Sequence, residues 1–121
     1  MYSPKVRELL ASLEGRGGLS HWTHRGRADN PVCGDVVEFE LLCRSGRIED
    51  CGYRADGCPA AIASAAAVRH LVVGRTAGEA EALSPALLLE FLGGLPAHKL
   101  HGIDVALDAL RAALRSPVGL A

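Results

Sequence analysis

Apolar and polar residues alternate over residues 36–43, which predicts a β-strand with one exposed face. One face of this strand carries Val37, Phe39, Leu41 and Cys43, and the other carries Glu38 and Glu40. After a turn at Ser45-Gly46, the returning strand carries Ile48, Cys51, Tyr53 and Ala55. One extra residue between Ile48 and Cys51 interrupts the alternation and predicts a β-bulge. The pattern therefore indicates an antiparallel strand pair.

The other apolar residues recur mainly at helical spacing. The predicted helices run from Pro4 to about Gly15, from Pro59 to Val73, from Thr76 to Leu83, from Pro85 to Phe91 and from His101 to Leu114. Ser3 and Ser84 each precede a proline, and proline is favoured at the first helical position. Thr76 and Glu79 have the spacing of a capping box. The buried stripe of the last helix is predicted to be Ile103, Leu107, Leu110 and Leu114.

Residues 15–29 show no sustained periodicity and contain four of the 14 glycines. We therefore interpret this segment as a loop or a loosely docked arm. His21 and His24 lie in it, and either could be a metal ligand in some state, but the interpretation as solvated loop histidines is favoured.

These elements predict an α+β fold in which a small antiparallel sheet is covered on one side by helices. With 121 residues, the chain is expected to form one domain, 1–121. Its predicted parts are an N-terminal helix and loop (1–29), a core (30–115) and a frayed tail (116–121). Two strands follow from the pattern; a third would have to come from residues 17–30.

The charges are nearly balanced, with 13 basic and 14 acidic residues, and only 4% of residues are aromatic. This composition argues against nucleic acid as the main partner. No apolar run is long enough to cross a membrane, and the first residues lack the apolar core of a signal peptide. We therefore expect a cytoplasmic protein whose four cysteines stay reduced and act as ligands or packing residues.

The candidate chemistry begins at Gly57-Cys58-Pro59, where an extended segment becomes a helix. Cys58 is predicted to lie at or next to the N-cap, where unpaired N–H groups and the helix dipole favour a thiolate. The alternative is that Cys58 is a small buried hydrophobic residue.

A second thiol and a carboxylate, Cys33 and Asp35, stand in the turn-rich segment Asn30-Pro31-Val32-Cys33-Gly34-Asp35. A strand pair between this segment and Cys58 could bring both to one end of a sheet. The chain has no C-x-x-C pair, so the spacing alone is a weak metal signal. Cys43 and Cys51 lie within strand patterns and are expected to be buried packing residues.

Several segments together resemble the iron–sulfur cluster scaffold family that includes IscU, SufU and the N-terminal domain of NifU. They are Asn30 to Asp35, Gly57 to Ala65, Gly74-Arg75-Thr76 with Glu79-Ala80, and Leu95-Pro96-Ala97-His98-Lys99-Leu100-His101. The resemblance covers about Asn30 to Leu114 in matching order and spacing. It implies a three-stranded sheet, and it implies that Cys33, Asp35 and Cys58 hold zinc or a nascent cluster.

The resemblance also places a histidine at His101, which is predicted to begin the last helix. Two cysteines, one histidine and one aspartate form a complete four-coordinate zinc shell. The same set could hold a [2Fe–2S] cluster, since histidine can replace thiolate on iron. We therefore expect Cys33, Asp35, Cys58 and His101 to bind zinc in the isolated protein and a transient [2Fe–2S] cluster during assembly.

The implied function is a scaffold or carrier that receives sulfur from a cysteine desulfurase and passes a cluster to recipient apo iron–sulfur proteins. The alternative is a diverged, non-assembling relative with a structural or regulatory zinc site. Gly102 separates the two, because it stands where the resemblance expects a third cysteine that receives sulfur. We expect Gly102→Cys to raise sulfur loading. No catalytic spacing or cofactor motif predicts an enzyme.

A further departure concerns the Leu-Pro-Pro-Val-Lys motif that family members served by an Hsp70-type chaperone carry. Leu95-Pro96-Ala97-His98-Lys99 keeps the first two residues and the lysine but lacks the central Pro-Val. This departure argues against recognition by such a chaperone and leaves that partner open.

Overall fold

The computed structural model describes residues 2–117. The strands are β1 (His24–Asn30), β2 (Asp35–Arg44) and β3 (Arg47–Asp56). The helices are α1 (Pro4–Ala11), α2 (Pro59–Val72), α3 (Ala77–Glu81), α4 (Pro85–Leu92) and α5 (His101–Leu114), with a 3₁₀ turn at Ala97–Lys99. The strands form one antiparallel sheet in the order β1-β2-β3. The predicted α+β class and the three-stranded sheet are confirmed. None of the helices described is long and apolar enough to cross a membrane.

Strand β1 corrects the prediction of a loop over residues 15–29. Its side chains alternate between exposed and half-buried, but the inward positions include Gly26 and Ala28 rather than large apolar residues. A glycine is needed at position 26 because a Cβ there would lie 2.1 Å from the backbone nitrogen of Ala113 in α5. Small residues on the covered face therefore hide the period of two on which a strand prediction depends.

The predicted bulge lies between β2 and β3. Leu42 pairs with Asp50 and Cys43 pairs with Ile48, which leaves Glu49 as the extra residue. The alternation of β3 resumes beyond it, so Cys51 and Tyr53 both face the core. Cys51 is buried as predicted, whereas Cys43 is only half-buried and corrects the expectation that it is a buried packing residue.

The core lies between the sheet and the helices α2 and α5. Strand β2 contributes Val37, Phe39 and Leu41, all fully buried, and α5 contributes Ile103, Leu107 and Leu110. Helix α2 presents mainly small buried residues, namely Ala60, Ala61, Ala63, Ser64, Ala65, Ala66 and Ala67. Small side chains let a helix pack closely on its neighbours, which brings the first turns of α2 and α5 together at one end of the sheet.

The opposite face of the sheet is partly covered by the segment that precedes β1. Glu40, predicted to be exposed, is 1% exposed, because this segment lies over it. Its Oε1 accepts a hydrogen bond from the Leu19 backbone N–H (2.7 Å), and its Oε2 lies 3.1 Å from Arg54 Nη1. A buried carboxylate needs such partners, and they fasten the segment to the sheet.

The helix ends differ slightly from the prediction. Helix α1 ends at Ala11 rather than near Gly15, so Leu13 is 76% exposed. Helix α3 ends at Glu81 rather than Leu83, but the capping box of Thr76 and Glu79 is present. Helix α5 has the predicted bounds. In the predicted frayed tail, Pro117 forms a bridge with His24, and residues 118–121 lie outside the described part of the chain.

Candidate metal centre

Cys58 is the N-cap residue of α2, as predicted. Its side chain makes no capping hydrogen bond, and Pro59 follows at the first helical position. The thiol is half-buried and lies at the N-terminus of the helix. The helix dipole favours an anion at this point.

The turn between β1 and β2 presents Cys33. The Asn30 Oδ1 atom accepts hydrogen bonds from the backbone N–H groups of Val32 (3.0 Å) and Cys33 (3.4 Å), and the Gly34 N–H donates to the Asn30 carbonyl. Asn30 and Asp35 close the turn as paired residues of the two strands. The asparagine therefore holds an exposed thiol directly above the sheet end where β2 begins.

Asp35 lies at the centre of the site and is fully buried. Its Oδ1 accepts a hydrogen bond from the Cys58 backbone N–H at 2.9 Å. Its Oδ2 lies 3.5 Å from Cys58 Sγ and 3.1 Å from His101 Nε2. The carboxylate thus bonds the N-cap residue of α2 and lies against the first residue of α5.

Gly57 makes this approach possible. Its φ is +135°, a conformation that L side chains rarely adopt, and a Cβ there would lie 2.1 Å from Asp35 Oδ1. The sequence placed Gly57 where an extended segment becomes a helix. It did not show that the missing side chain leaves room for the carboxylate, because that contact joins segments far apart in the chain.

Three of the four side chains predicted as ligands form one group, and the fourth, Cys58, lies beside two of them. The ligand atoms of Cys33, Asp35 and His101 all lie within 4.8 Å of one another. Cys58 Sγ lies 3.7 Å from His101 Nε2 and 3.5 Å from Asp35 Oδ2. One turn, one strand and two helix N-termini therefore supply two sulfur, one nitrogen and one oxygen donor, which are ordinary zinc ligand types.

The other two cysteines have a different environment. Burial raises the pKa of the Cys51 thiol, and the nearby Arg69 offsets this only in part. Burial also raises the pKa of Cys43, while a hydrogen bond with Thr23 lowers it. Both side chains therefore favour the protonated thiol, whereas metal binding requires the thiolate.

The two histidines of the N-terminal segment lie away from the cluster. His24 begins β1, whereas the cluster lies beyond its last residue, Asn30. At about 3.3 Å per residue, the strand separates His24 from the site by roughly 20 Å. The His24 Nδ1 atom contacts the Thr23 hydroxyl at 2.9 Å, and His21 is exposed.

Gly102 is buried and tightly packed. A Cβ at this position would lie 2.8 Å from the carbonyl carbon of Ala60 and 2.8 Å from the backbone nitrogen of Ala61. The prediction that Gly102→Cys raises sulfur loading assumed space for a side chain. The backbone of α2 occupies that space.

The sequence also matches known proteins. Residues 1–116 match the NifU-like N-terminal domain family. The iron–sulfur cluster assembly scaffold protein IscU 1 of Archaeoglobus fulgidus is 36% identical over 114 residues, which are 94% of this chain and 74% of that protein. The IscU scaffold protein of Buchnera aphidicola subsp. Acyrthosiphon pisum is 37% identical over 117 residues, covering 93% of this chain and 91% of that protein.

Solved structures share the fold. A NifU-like protein (N-terminal) from Brucella abortus superposes with a TM-score of 0.76 at 18% identity, covering 93% of this chain and 91% of that one. The protein FiSufU from Fervidobacterium islandicum AW-1 superposes with a TM-score of 0.78, also at 18% identity, covering 93% and 96%. At this identity, the likeness concerns the arrangement of the sheet and helices.

Proposed function

Because the chain belongs to the NifU-like N-terminal domain family, we propose that it is a scaffold or carrier for iron–sulfur cluster assembly. Its cargo is iron with sulfide, held as a transient [2Fe–2S] cluster by Cys33, Asp35, Cys58 and His101. Relatives that are named as scaffold proteins support this role. They also agree with the prediction that the chain is not an enzyme.

The observation that carries the proposal is the position of Asp35. A fully buried carboxylate lies within 3.5 Å of both Cys58 Sγ and His101 Nε2. A carboxylate is a harder and more exchangeable ligand for iron than a thiolate. Its place among the softer donors suits a site that must release what it binds.

In the isolated protein, zinc is the proposed occupant. The donor set has two thiol sulfurs, one imidazole and one carboxylate, which fits a four-coordinate zinc ion. The proposed partners are a cysteine desulfurase, which supplies the sulfur, and apo iron–sulfur proteins, which receive the cluster. The proposal places all of them in the cytoplasm, where thiols stay reduced.

Gly102 favours a second candidate function. Since this position carries no thiol, the chain could bind zinc for stability or regulation without assembling clusters. In that case the four donors would hold a permanent ion rather than a cargo.

Anaerobic reconstitution tests the choice. The purified protein is incubated with a cysteine desulfurase, cysteine, ferrous iron and a thiol reductant that supplies the electrons to convert persulfide sulfur to sulfide. Bound iron, acid-labile sulfide and transfer to an apo-ferredoxin are then measured. A scaffold accumulates iron and sulfide in equal amounts and passes them on. A chain that keeps its zinc and acquires no sulfide supports the non-assembling alternative.

A further inference from the structure

Helix α5 reaches the backbone of α2 through Gly102, its second residue. Besides the two contacts of 2.8 Å, a Cβ at Gly102 would lie 3.0 Å from the Ala60 carbonyl oxygen. All three are backbone atoms, so no side-chain rotation could relieve the contact. With the backbones as they lie in this chain, a Cβ at position 102 would require one of the two helix N-termini to shift.

The contact lies directly behind the donor cluster. Ala60 and Ala61 belong to the first turn of α2, which begins at Cys58, and Gly102 follows His101 in α5. The separation of the two backbones therefore sets the distance between Cys58 Sγ and His101 Nε2, which is 3.7 Å. Asp35 depends on the same separation, since it contacts both residues.

We propose that Gly102 is a positioning residue that holds the Cys58 and His101 donors at the spacing required by a single metal ion. The inference rests on the proposed function, because it concerns the same site. Gly102 thus has a specific packing role in this chain, besides leaving the position without a thiol. The corollary is that Gly102→Cys disturbs the metal site instead of only adding a sulfur acceptor.

The chain provides a matched control. Gly78 is also the second residue of a helix, α3, but the nearest atom to a Cβ there is Thr76 Oγ1 at 4.0 Å. Gly78→Ala therefore makes the same chemical change without a backbone contact, and it should leave the thermal stability equal or higher.

The experiment compares the parent chain with Gly102→Ala, Gly102→Cys and Gly78→Ala. Cobalt(II) replaces zinc as a spectroscopic probe, since its visible bands report the donor set and its geometry. We expect both Gly102 variants to bind cobalt and zinc roughly 10- to 100-fold more weakly, as when other supporting residues of metal sites are changed. Their cobalt bands should shift, whereas Gly78→Ala should match the parent.

A desulfurase assay completes the test. Persulfide on the intact protein is measured by mass spectrometry, and Gly102→Cys should gain no more sulfur than the parent. A large gain on the introduced thiol together with unchanged cobalt bands would overturn the inference, because it would mean that the side chain fits without moving α5.

The remaining outcomes are also decisive. Gly102→Ala with lower stability but parental affinity and cobalt bands would limit Gly102 to a structural role and overturn the inference. A variant that does not fold even with excess zinc would make Gly102 a requirement of the fold instead, which would also overturn it. A parent chain that binds neither metal would overturn the proposed function and the inference with it.

Discussion

The imidazole of His101 lies against the carboxylate of Asp35, with 3.1 Å between Nε2 and Oδ2. This contact joins the last helix to the start of the second strand. Without an ion, this contact gives the buried carboxylate a polar partner. With an ion bound, His101 Nε2 and Asp35 Oδ2 would both direct lone pairs at the metal. The same pair therefore serves the fold and the proposed site, and variants must be chosen to separate the two roles.

The first prediction concerns metal content. The isolated chain should carry about one zinc ion, and Cys58→Ala should lose most of it because the remaining donors cannot complete a tetrahedral shell. Elemental analysis of protein purified without chelator measures this. Cys43→Ala is the matched control and should keep its zinc, as should Cys51→Ala. Full zinc retention in Cys58→Ala would contradict the proposed ligand set.

The second prediction concerns Gly57. Gly57→Ala should lower the free energy of unfolding by about 1–3 kcal/mol through backbone strain. It should also weaken zinc binding, because the new Cβ would displace the Asp35 carboxylate. Gly46→Ala is the control, since Gly46 has a φ of +77° but no atom within 4 Å of a Cβ. Denaturant titrations should show a lower free energy of unfolding for both variants. Zinc-affinity measurements should show weaker binding only for Gly57→Ala.

A third prediction concerns thiol reactivity in the metal-free protein. Cys33 is exposed and should react first with iodoacetamide. Cys43 should react slowly, and more readily as the pH rises, because its pKa is raised by burial. Cys51 should react only when the protein unfolds. Peptide mapping by mass spectrometry follows each site, and zinc should protect Cys33 but not Cys43. Equal protection of both would place the metal elsewhere.

The fourth prediction follows from the direction of the Cys51 pKa. Burial raises this pKa in the folded protein, so above about pH 8.5 the unfolded chain loses a proton that the folded chain keeps. Stability should then fall as the pH rises, by roughly 1.4 kcal/mol per pH unit from this group. Cys51→Ala should show a shallower decline than the parent in urea titrations between about pH 8 and pH 10. Parallel curves would show that Cys51 ionises equally in both states.

The fifth prediction concerns the buried Glu40. Glu40→Gln should lower the free energy of unfolding by about 1–2 kcal/mol, because the charge-assisted contacts with Arg54 and the Leu19 N–H are weakened. Glu38→Gln is the control: it meets the same Arg54 but is more exposed, and its effect should be under about 1 kcal/mol. Zinc content should be unchanged in both variants.

The sequence predicted the elements whose signals are local. The capping box of Thr76 and Glu79, the bulge after Ile48 and the bounds of α5 each depend on neighbouring residues. Strand β1 escaped prediction because Gly26 and Ala28 face α5, so its covered face carries no large apolar residue. The burial of Glu40 was not predicted for a related reason: it depends on the segment that precedes β1, and the sequence of that segment shows no regular pattern.

The proposed donor set rests on the N-cap position of Cys58 and on the family resemblance. The backbone packing behind it could not be predicted in this way. The space left by Gly57 for Asp35, and the contact of Gly102 with Ala60, both join segments distant in the chain. Such contacts follow from the complete fold, and the spacing of residues along the sequence does not indicate them.

The donors come from widely separated parts of the chain: Asp35 and Cys58 are 23 residues apart, and Cys58 and His101 are 43 apart. These groups converge only in the folded chain, so an ion bound by all of them would stabilise the folded state by its binding free energy. Giving up the ion would remove that stabilisation. Cargo release and loosening of the two helix ends would then be a single coupled equilibrium.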